Sequence, residues 1–295
     1  MCGILGVSCL NKNTRPMLPF LAWDMQRRGD DSWGASNGND VIRELGAVRK
    51  SFYIPSGWVG GPVIVHTRRA SQGRVNIENA HPQRIKNIIG IHNGTLNNHQ
   101  ELNRIHNRNY DVDTAHIFHH MADGLPLDDI GGTAALAWYD TEAPGILFLC
   151  RINTTALEVA KLTTGEIVFA SEKSTVEESA SMADKDIDVF YTIKPNLVYE
   201  VHTASGEIDE TTKRHEFRTY SHTSPSRYST CSTSHSTSTW LADKKKCLGC
   251  CAPLVGGFYI CKKCVADNLE NAKTVLLYDG KQKLLPSVDQ VELVN

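Results

Sequence analysis

A chain of 295 residues, 41% hydrophobic and 22% charged with a formal net charge of −2, has the balance of a soluble globular protein, long enough for one large domain or two smaller ones. That balance argues against a broad nucleic-acid-binding surface, though not against a local basic patch. No run of about 18 apolar residues is present to span a membrane. The N-terminus also lacks a basic stretch and soon reaches polar Asn11-Lys12-Asn13, so no signal peptide is expected and the chain reads as cytoplasmic, with reduced thiols.

The chain opens Met1-Cys2. If Met1 is removed, Cys2 carries both a thiol and a free α-amine. The amine, with an ordinary pKa near ~8, can act as base for the thiol at neutral pH. Taken alone, a cysteine at position 2 is weak evidence for catalysis. The run Gly3-Ile4-Leu5-Gly6-Val7 that follows reads as a buried strand, which would hold the terminus inside a sheet. Further strands are expected at Ile4–Cys9 (overlapping that run), Val63–His66, Ile88–His92, Thr133–Tyr139, Ile146–Cys150, Ile167–Ala170 and Leu197–Val201.

Helices are expected at Met17–Arg28, where Leu18, Leu21, Ala22 and Met25 share a face, and at Asp113–Ala122, with Asp113 as cap and Ile117, Phe118 and Met121 on one side. Asn98–His106 and Ser174–Met182 are shorter candidates. Strands and helices fall in groups without strict βαβ alternation, so the fold class is α+β: antiparallel sheets covered by helices. The first domain is placed at residues 2–220. From Ser221 to Thr239, 13 of 19 residues are Ser or Thr, which reads as a flexible linker over 221–239. A small module occupies 240–295.

Four stretches of the first domain stand out: Arg27-Arg28-Gly29-Asp30-Asp31-Ser32; His66-Thr67-Arg68-Arg69-Ala70-Ser71-Gln72-Gly73 after a strand; Asn79-Ala80-His81-Pro82; and His92-Asn93-Gly94-Thr95-Leu96-Asn97-Asn98 after another strand. Singly, each has a plain reading as turn, loop or solvated charge; Asn93-Gly94, for instance, is a common hairpin turn. Together they hold what a cysteine nucleophile attacking a carbonyl needs. Asn93 and the N–H of Gly94 form a donor pair for an oxyanion. Arg68 offers a fork of donors to a carboxylate. Asp113 offers a carboxylate to an ammonium.

The chain resembles the class II glutamine amidotransferases, whose glutaminase domain is an N-terminal-nucleophile (Ntn) hydrolase. The resemblance runs from Cys2 to about Val201 and rests on Cys-Gly-Ile, Arg-Gly-x-Asp-Ser, His-Thr-Arg, Asn-Ala-His-Pro, His-Asn-Gly and Asp-Thr in the family's order. Gly131-Gly132-Thr133-Ala134-Ala135-Leu136, Phe169-Ala170-Ser171-Glu172 and Ile193-Lys194-Pro195 also fit. It implies a four-layer αββα sandwich with Cys2 at the end of a central strand. Cys2 would attack the side-chain amide of L-glutamine, with no cofactor. Asn93 and Gly94 would hold the oxyanion, Arg68 the α-carboxylate and Asp113 the α-ammonium, while Arg28 orders the active-site loops. Ser71 and Gln72 join the substrate-binding candidates. Arg69 stands where many members carry an aromatic residue, and Gln72 where some carry histidine.

Five cysteines crowd into 18 residues of the C-terminal module. Cys247-x2-Cys250 and Cys261-x2-Cys264, ten residues apart, form a zinc-ribbon-like pattern for one structural Zn2+, with Cys251 an alternative to Cys250. Lys244-Lys245-Lys246 and Lys262-Lys263 give the module a basic face, for nucleic acid, an acidic protein surface or solvent alone. No phosphate-cradling glycine loop or synthase-sized domain follows the first domain. The leading expectation is a glutaminase subunit that supplies ammonia to a separate acceptor-aminating partner. Another Ntn amidohydrolase acting on a γ-glutamyl or amide substrate, and a catalytically dead zinc-ribbon adaptor, stay open as alternatives.

Overall fold

The computed structural model describes residues 2–153 and 155–218. The linker, the basic runs and the candidate zinc ligands Cys247, Cys250, Cys261 and Cys264 lie outside the described residues.

Thirteen strands of the described chain form two antiparallel sheets. The first has β1 (Gly3–Val7) at its centre. On one side run β10 (Ile167–Ala170), β9 (Glu158–Leu162) and β11 (Ile187–Tyr191); on the other run β4 (Val63–Arg68), β2 (Ser32–Ser36) and β3 (Val41–Leu45). The second sheet runs β13 (Glu207–Arg214), β12 (Leu197–His202), β8 (Ile146–Ile152), β7 (Gly132–Asp140), β6 (Ile88–Leu96) and β5 (Gln83–Ile85).

Alternation along the strands builds the layers, because successive side chains of a strand point to opposite faces. Ile4, Ile64 and Phe169 of the first sheet meet Ile91, Ala135, Tyr139 and Leu149 of the second in a core between the sheets. Their neighbours Leu5, Val65 and Val168 face outward into a second core with Met17, Leu18, Leu21 and Met25 of α1 (Met17–Met25) and Val176 of α5 (Lys173–Met182). On the far side, Leu136, Trp138, Cys150 and Val198 pack under Ile117 and Phe118 of α4 (Thr114–Ala122) and Leu102 of α3 (His99–Ile105). Three cores between four layers give a helix–sheet–sheet–helix sandwich, consistent with the αββα arrangement expected of an Ntn hydrolase. A short helix, α2 (Val48–Ser51), adds to the helices of the chain.

All seven expected strands form, β6 and β7 longer than their apolar cores suggest. The expected helix Met17–Arg28 is α-helical to Met25 and tightens into a 3-10 turn over Gln26–Arg28. Asp113 is the first residue outside α4, and its carboxylate accepts the N–H of Thr114 at 2.9 Å, as expected of a cap. Among the described residues, no helix is long and apolar enough to cross a membrane.

Phe169 is fully buried at the centre of the inter-sheet core. Phe169→Ala should cost about 3–5 kcal/mol, the usual range for an aromatic cavity. Urea denaturation followed by far-UV circular dichroism measures it; a loss under about 1 kcal/mol would mean that the two sheets do not share this core.

Candidate active site

The site is built at the N-terminal end of β1. That strand pairs antiparallel with β4 and β10, with Gly3 opposite Thr67 and Leu5 opposite Ala170. Three contacts fix its first residues. Arg28 Nε donates to the Cys2 carbonyl at 2.8 Å, and its guanidinium pairs with Glu172. Ser171 Oγ accepts the N–H of Ile4 at 3.0 Å, and the N–H of Ser171 donates back to the Ile4 carbonyl at 2.9 Å. A side chain at Gly3 would press within 2.6 Å of Thr67 Oγ1 and 2.9 Å of Met25, so only glycine lets β1 lie this close to the end of α1.

The Cys2 thiol therefore has a defined position. Its Sγ lies 3.4 Å from the N–H of Arg69, which donates to it, and 3.5 Å from the Arg69 carbonyl, to which the thiol donates. Burial pushes the thiol pKa up, and the Arg69 N–H and the Arg68 charge only partly offset this. A thiol so placed stays protonated at neutral pH and needs a base to become a nucleophile.

Arg68 is 3% exposed. Two of its guanidinium nitrogens donate to the carbonyls of Arg74 (3.1 Å) and Gln72 (2.8 Å), curling residues 69–74 around it. A guanidinium has five N–H donors, so others are left for a ligand. Gln72 holds the same loop from the other side, its Nε2 donating to the Leu96 carbonyl at 2.8 Å. Asp31 pins the start of the loop by accepting the N–H of Ala70 at 2.7 Å. Ser71 is exposed on this loop.

Asn93 and Gly94 lie within β6 and make no hairpin turn. Asn93 is 3% exposed, and among the described residues no hydrogen bond engages its side-chain amide, whose polar atoms keep some access to solvent. An amide with unspent donors and such access is suited to a ligand. Gly94 also has a structural reason to be glycine, since a Cβ would sit 2.0 Å from the Thr133 carbonyl of β7. Asp113 closes the group. One of its oxygens accepts the N–H of Leu96 at 2.9 Å and the other that of Thr114, which leaves a lone pair on each for a cation. Cys2, Arg68 and Asp113 are close enough to influence one another's charge.

Beneath these residues the histidines of the sequence stretches meet. His66, His81 and His92 are all buried, and the rings of His66 and His81 stack with centroids 4.1 Å apart. The hydroxyl of Thr114, next to Asp113, lies 2.9 Å from His81 Nε2 and 3.0 Å from His92 Nδ1. His92 Nε2 is 3.4 Å from the Thr133 carbonyl, and His66 Nε2 donates to the His92 carbonyl at 3.1 Å. One neutral assignment satisfies these contacts: His81 donates to Thr114, Thr114 donates to His92, and His92 donates to Thr133. Burial holds all three imidazoles below their usual range, His66 at about 3. The network bridges the sheets through His66, on β4, and His92, the neighbour of Asn93. Asn79, outside this network, braces the loop after Arg68 by donating to the Arg74 carbonyl at 3.0 Å and to Asp111 at 2.7 Å.

The structure thus brings Cys2, Arg68 and Asp113 near one another, with Gln72 on the loop that wraps Arg68, while Asn93 and Gly94 lie on β6 between His92, whose carbonyl meets His66 of β4, and Leu96, whose N–H meets Asp113. Sequence reasoning did not assign roles to Thr114, Asp31, Ser171 or the three histidines. Their signal was there, in the very stretches singled out, but each acts through a contact distant in sequence. A hollow lined by Gln72, Gly73, Leu96, Asn97 and Asp111 adjoins the loop. Cys2 and Asn93 are not in its walls, so it is a neighbour of the site and not the site itself.

No family model matches the chain. Among curated proteins it is similar to the glutamine–fructose-6-phosphate aminotransferase (isomerizing) of Listeria innocua serovar 6a, 29% identical over 238 residues, 76% of this chain and 39% of that protein. The enzyme of the same name from Francisella tularensis subsp. tularensis is 32% identical over 113 residues, 36% of this chain and 18% of that protein. The chain thus spans well under half the length of these curated relatives. A solved structure of the allosteric regulatory enzyme of purine biosynthesis shares the fold, with a TM-score of 0.51 at 16% identity over 71% of this chain and 48% of that one.

The buried histidines give stability a pH dependence with a fixed sign. Above about pH 6.5, the ordinary imidazole value, the rings are neutral in both folded and unfolded chains. Below it the unfolded chain takes up protons that the folded one refuses, for His66 down to about pH 3. Stability should therefore fall as pH drops from about 6.5 to 5, by up to ~1.4 kcal/mol per pH unit for each histidine. Urea midpoints across that interval test this; a flat profile would show that the rings are protonated in the fold.

Proposed function

We propose that this domain, which its sequence relatives and its fold support as a class II glutamine amidotransferase-type domain, hydrolyses the side-chain amide of glutamine through Cys2. The observation that carries the reading is a pinned Cys2 thiol with Arg68 and Asp113 close enough to act on its charge, beside a strand whose Asn93 amide bonds to none of the described residues.

The chemistry follows from what each group has to spare. Removal of Met1 leaves an α-amine on Cys2, the base that a thiol with a raised pKa requires. The amine takes the thiol proton, and sulfur adds to the amide carbon of glutamine. Charge develops on the amide oxygen, met by the Asn93 side chain and the Gly94 N–H. The proton passes to the departing nitrogen, the C–N bond breaks as the oxyanion collapses, and ammonia departs, leaving the acyl group as a thioester on Cys2. Water, deprotonated by the same amine, releases glutamate and restores the thiol. The unused donors of Arg68 bind the substrate α-carboxylate, and the free lone pairs of Asp113 bind its α-ammonium. Together they select a free α-amino acid over a peptide-linked amide. Gln72, through its tether to Leu96, shapes the pocket; Ser71 lies on the same loop as a further substrate contact. The ammonia serves a separate acceptor-aminating partner, and the C-terminal cysteines hold a structural Zn2+ in a module that recruits that partner.

The test is intact-mass spectrometry of the full chain before and after a glutamine-analogue diazo-ketone, with a glutaminase assay alongside. Loss of Met1, a single adduct on Cys2 and no glutamate from Cys2→Ala are expected. Asn93→Ala should keep the adduct site but lower kcat about 10²–10³-fold, the usual cost of one oxyanion donor. Retained Met1 with no adduct would remove the base from the mechanism and favour a non-enzymatic adaptor.

A further inference from the structure

On the outer helical layer, away from Cys2, three side chains from three elements converge. His106 caps the C-terminus of α3, His120 lies in the last turn of α4, and Asp129 is in the loop leading to β7. Their candidate ligand atoms all lie within 4.8 Å of one another. His106 Nε2 is 2.7 Å from Asp129 Oδ2, and His120 Nε2 is 3.1 Å from Asp129 Oδ1. We propose that His106, His120 and Asp129 bind a divalent metal ion of the zinc class, which clasps α3, α4 and the loop into β7.

Proton accounting supports this assignment. His120 Nδ1 is 2.7 Å from the His116 carbonyl, so it carries the proton and donates it. Arg108 Nη1 also lies 3.1 Å from Nδ1, but the shorter contact to the His116 carbonyl assigns the Nδ1 proton to that carbonyl. His120 Nε2 then presents its lone pair to the Asp129 carboxylate, 3.1 Å from Oδ1 and 3.4 Å from Oδ2, the arrangement of two ligands about one cation. A metal here meets the Arg108 charge, which Asp123 offsets from 3.7 Å, and gains three ligand bonds. Moreover, Asp129 Oδ1 is buried without a hydrogen bond despite its nearness to His120.

The surroundings are those of a held site. A backbone acceptor on the second ring nitrogen fixes the tautomer and orients the ligating one. Asn98 secures the ligand loop, with Nδ2 donating to the Asp129 carbonyl and Oδ1 accepting the N–H of Gly131, both at 2.8 Å. The side chains of His106 and Asp129 are 21% and 38% exposed, which gives an ion access and leaves room for water as a fourth ligand. Two imidazoles and a carboxylate suit Zn2+. Tetrahedral metal bonds of about 2.0–2.1 Å place ligand atoms about 3.3–3.4 Å apart, so His106 Nε2 and Asp129 Oδ2 would open from 2.7 Å by roughly half an ångström, and His120 Nε2 and Asp129 Oδ1 would open from 3.1 Å by less.

The full chain, treated with a chelator, is titrated with zinc chloride, dialysed and assayed for metal per chain. Zinc on the C-terminal cysteines contributes equally to every variant and cancels in the comparison. Wild type should retain one equivalent more than His106→Ala or Asp129→Asn. His106→Cys, which keeps a ligand, should restore the equivalent, with circular dichroism confirming that each variant is folded. Equal metal content in wild type and His106→Ala, or in His106→Ala and a folded His106→Cys, overturns the proposal.

Discussion

The position of one strand end governs the rest of this domain. A chain terminus ordinarily frays, because its last residues have few contacts to set against their conformational entropy. Here β1 is paired on both edges in the middle of a seven-stranded sheet. The Cys2 carbonyl just before it is held by Arg28, and its second residue, Ile4, is clasped by Ser171. The ion pair between Arg28 and Glu172 links the end of α1 to the end of β10 and closes the clamp. With that end fixed, a thiol that would otherwise wander has a position set by the backbone of Arg69.

The second sheet must then be held in register with this end, and the polar core between the sheets does that. Buried polar groups destabilise a fold unless they are paired. His81, Thr114 and His92 satisfy one another in sequence, and His66 reaches across to the backbone of β6. Since the hydroxyl of Thr114 adjoins Asp113, and the His92 carbonyl adjoins Asn93, the network sets the positions of two site residues. Neutral rings suit this place, because charged imidazoles so close to Arg68 would repel one another. Specificity for one arrangement arises from directional bonds that the apolar cores alone do not supply.

Local pattern made the central strands legible. Val63–His66 and Ile167–Ala170 are short apolar runs bounded by breaks, and both proved to be strands. It did not reveal β2, Ser-Trp-Gly-Ala-Ser, whose small and polar residues carry little strand preference; it is a strand because β3 and β4 pair with it on both sides. Nor did it reveal β13, Glu207–Arg214, a mostly exposed edge strand that touches the core through one apolar side chain, Ile208, too few to show a pattern. The site divides in the same way. Cys2, Arg68, Asn93 and Asp113 stood out by residue type and order. Ser71 was grouped with Arg68 by adjacency, yet its side chain is exposed on the loop that Arg68 curls inward.

By itself the sequence determined the alternating faces of the central strands, the apolar face of α1, and which chemical groups are on hand: a second-position cysteine, an Asn-Gly pair, an arginine and an aspartate. Those are consequences of local periodicity and side-chain chemistry, both readable along the chain. Tertiary structure decided which groups meet. Arg28 reaches Cys2 across 26 residues, Ser171 reaches Ile4 across 167, and Thr114 gathers histidines 33 and 22 positions earlier. It also decided that Asn93 would bond its amide to none of the described residues while Asn79 and Asn98 spend theirs on the fold. A side chain's available donors depend on what packs around it, and in a two-sheet sandwich those neighbours come from strands far apart in the chain.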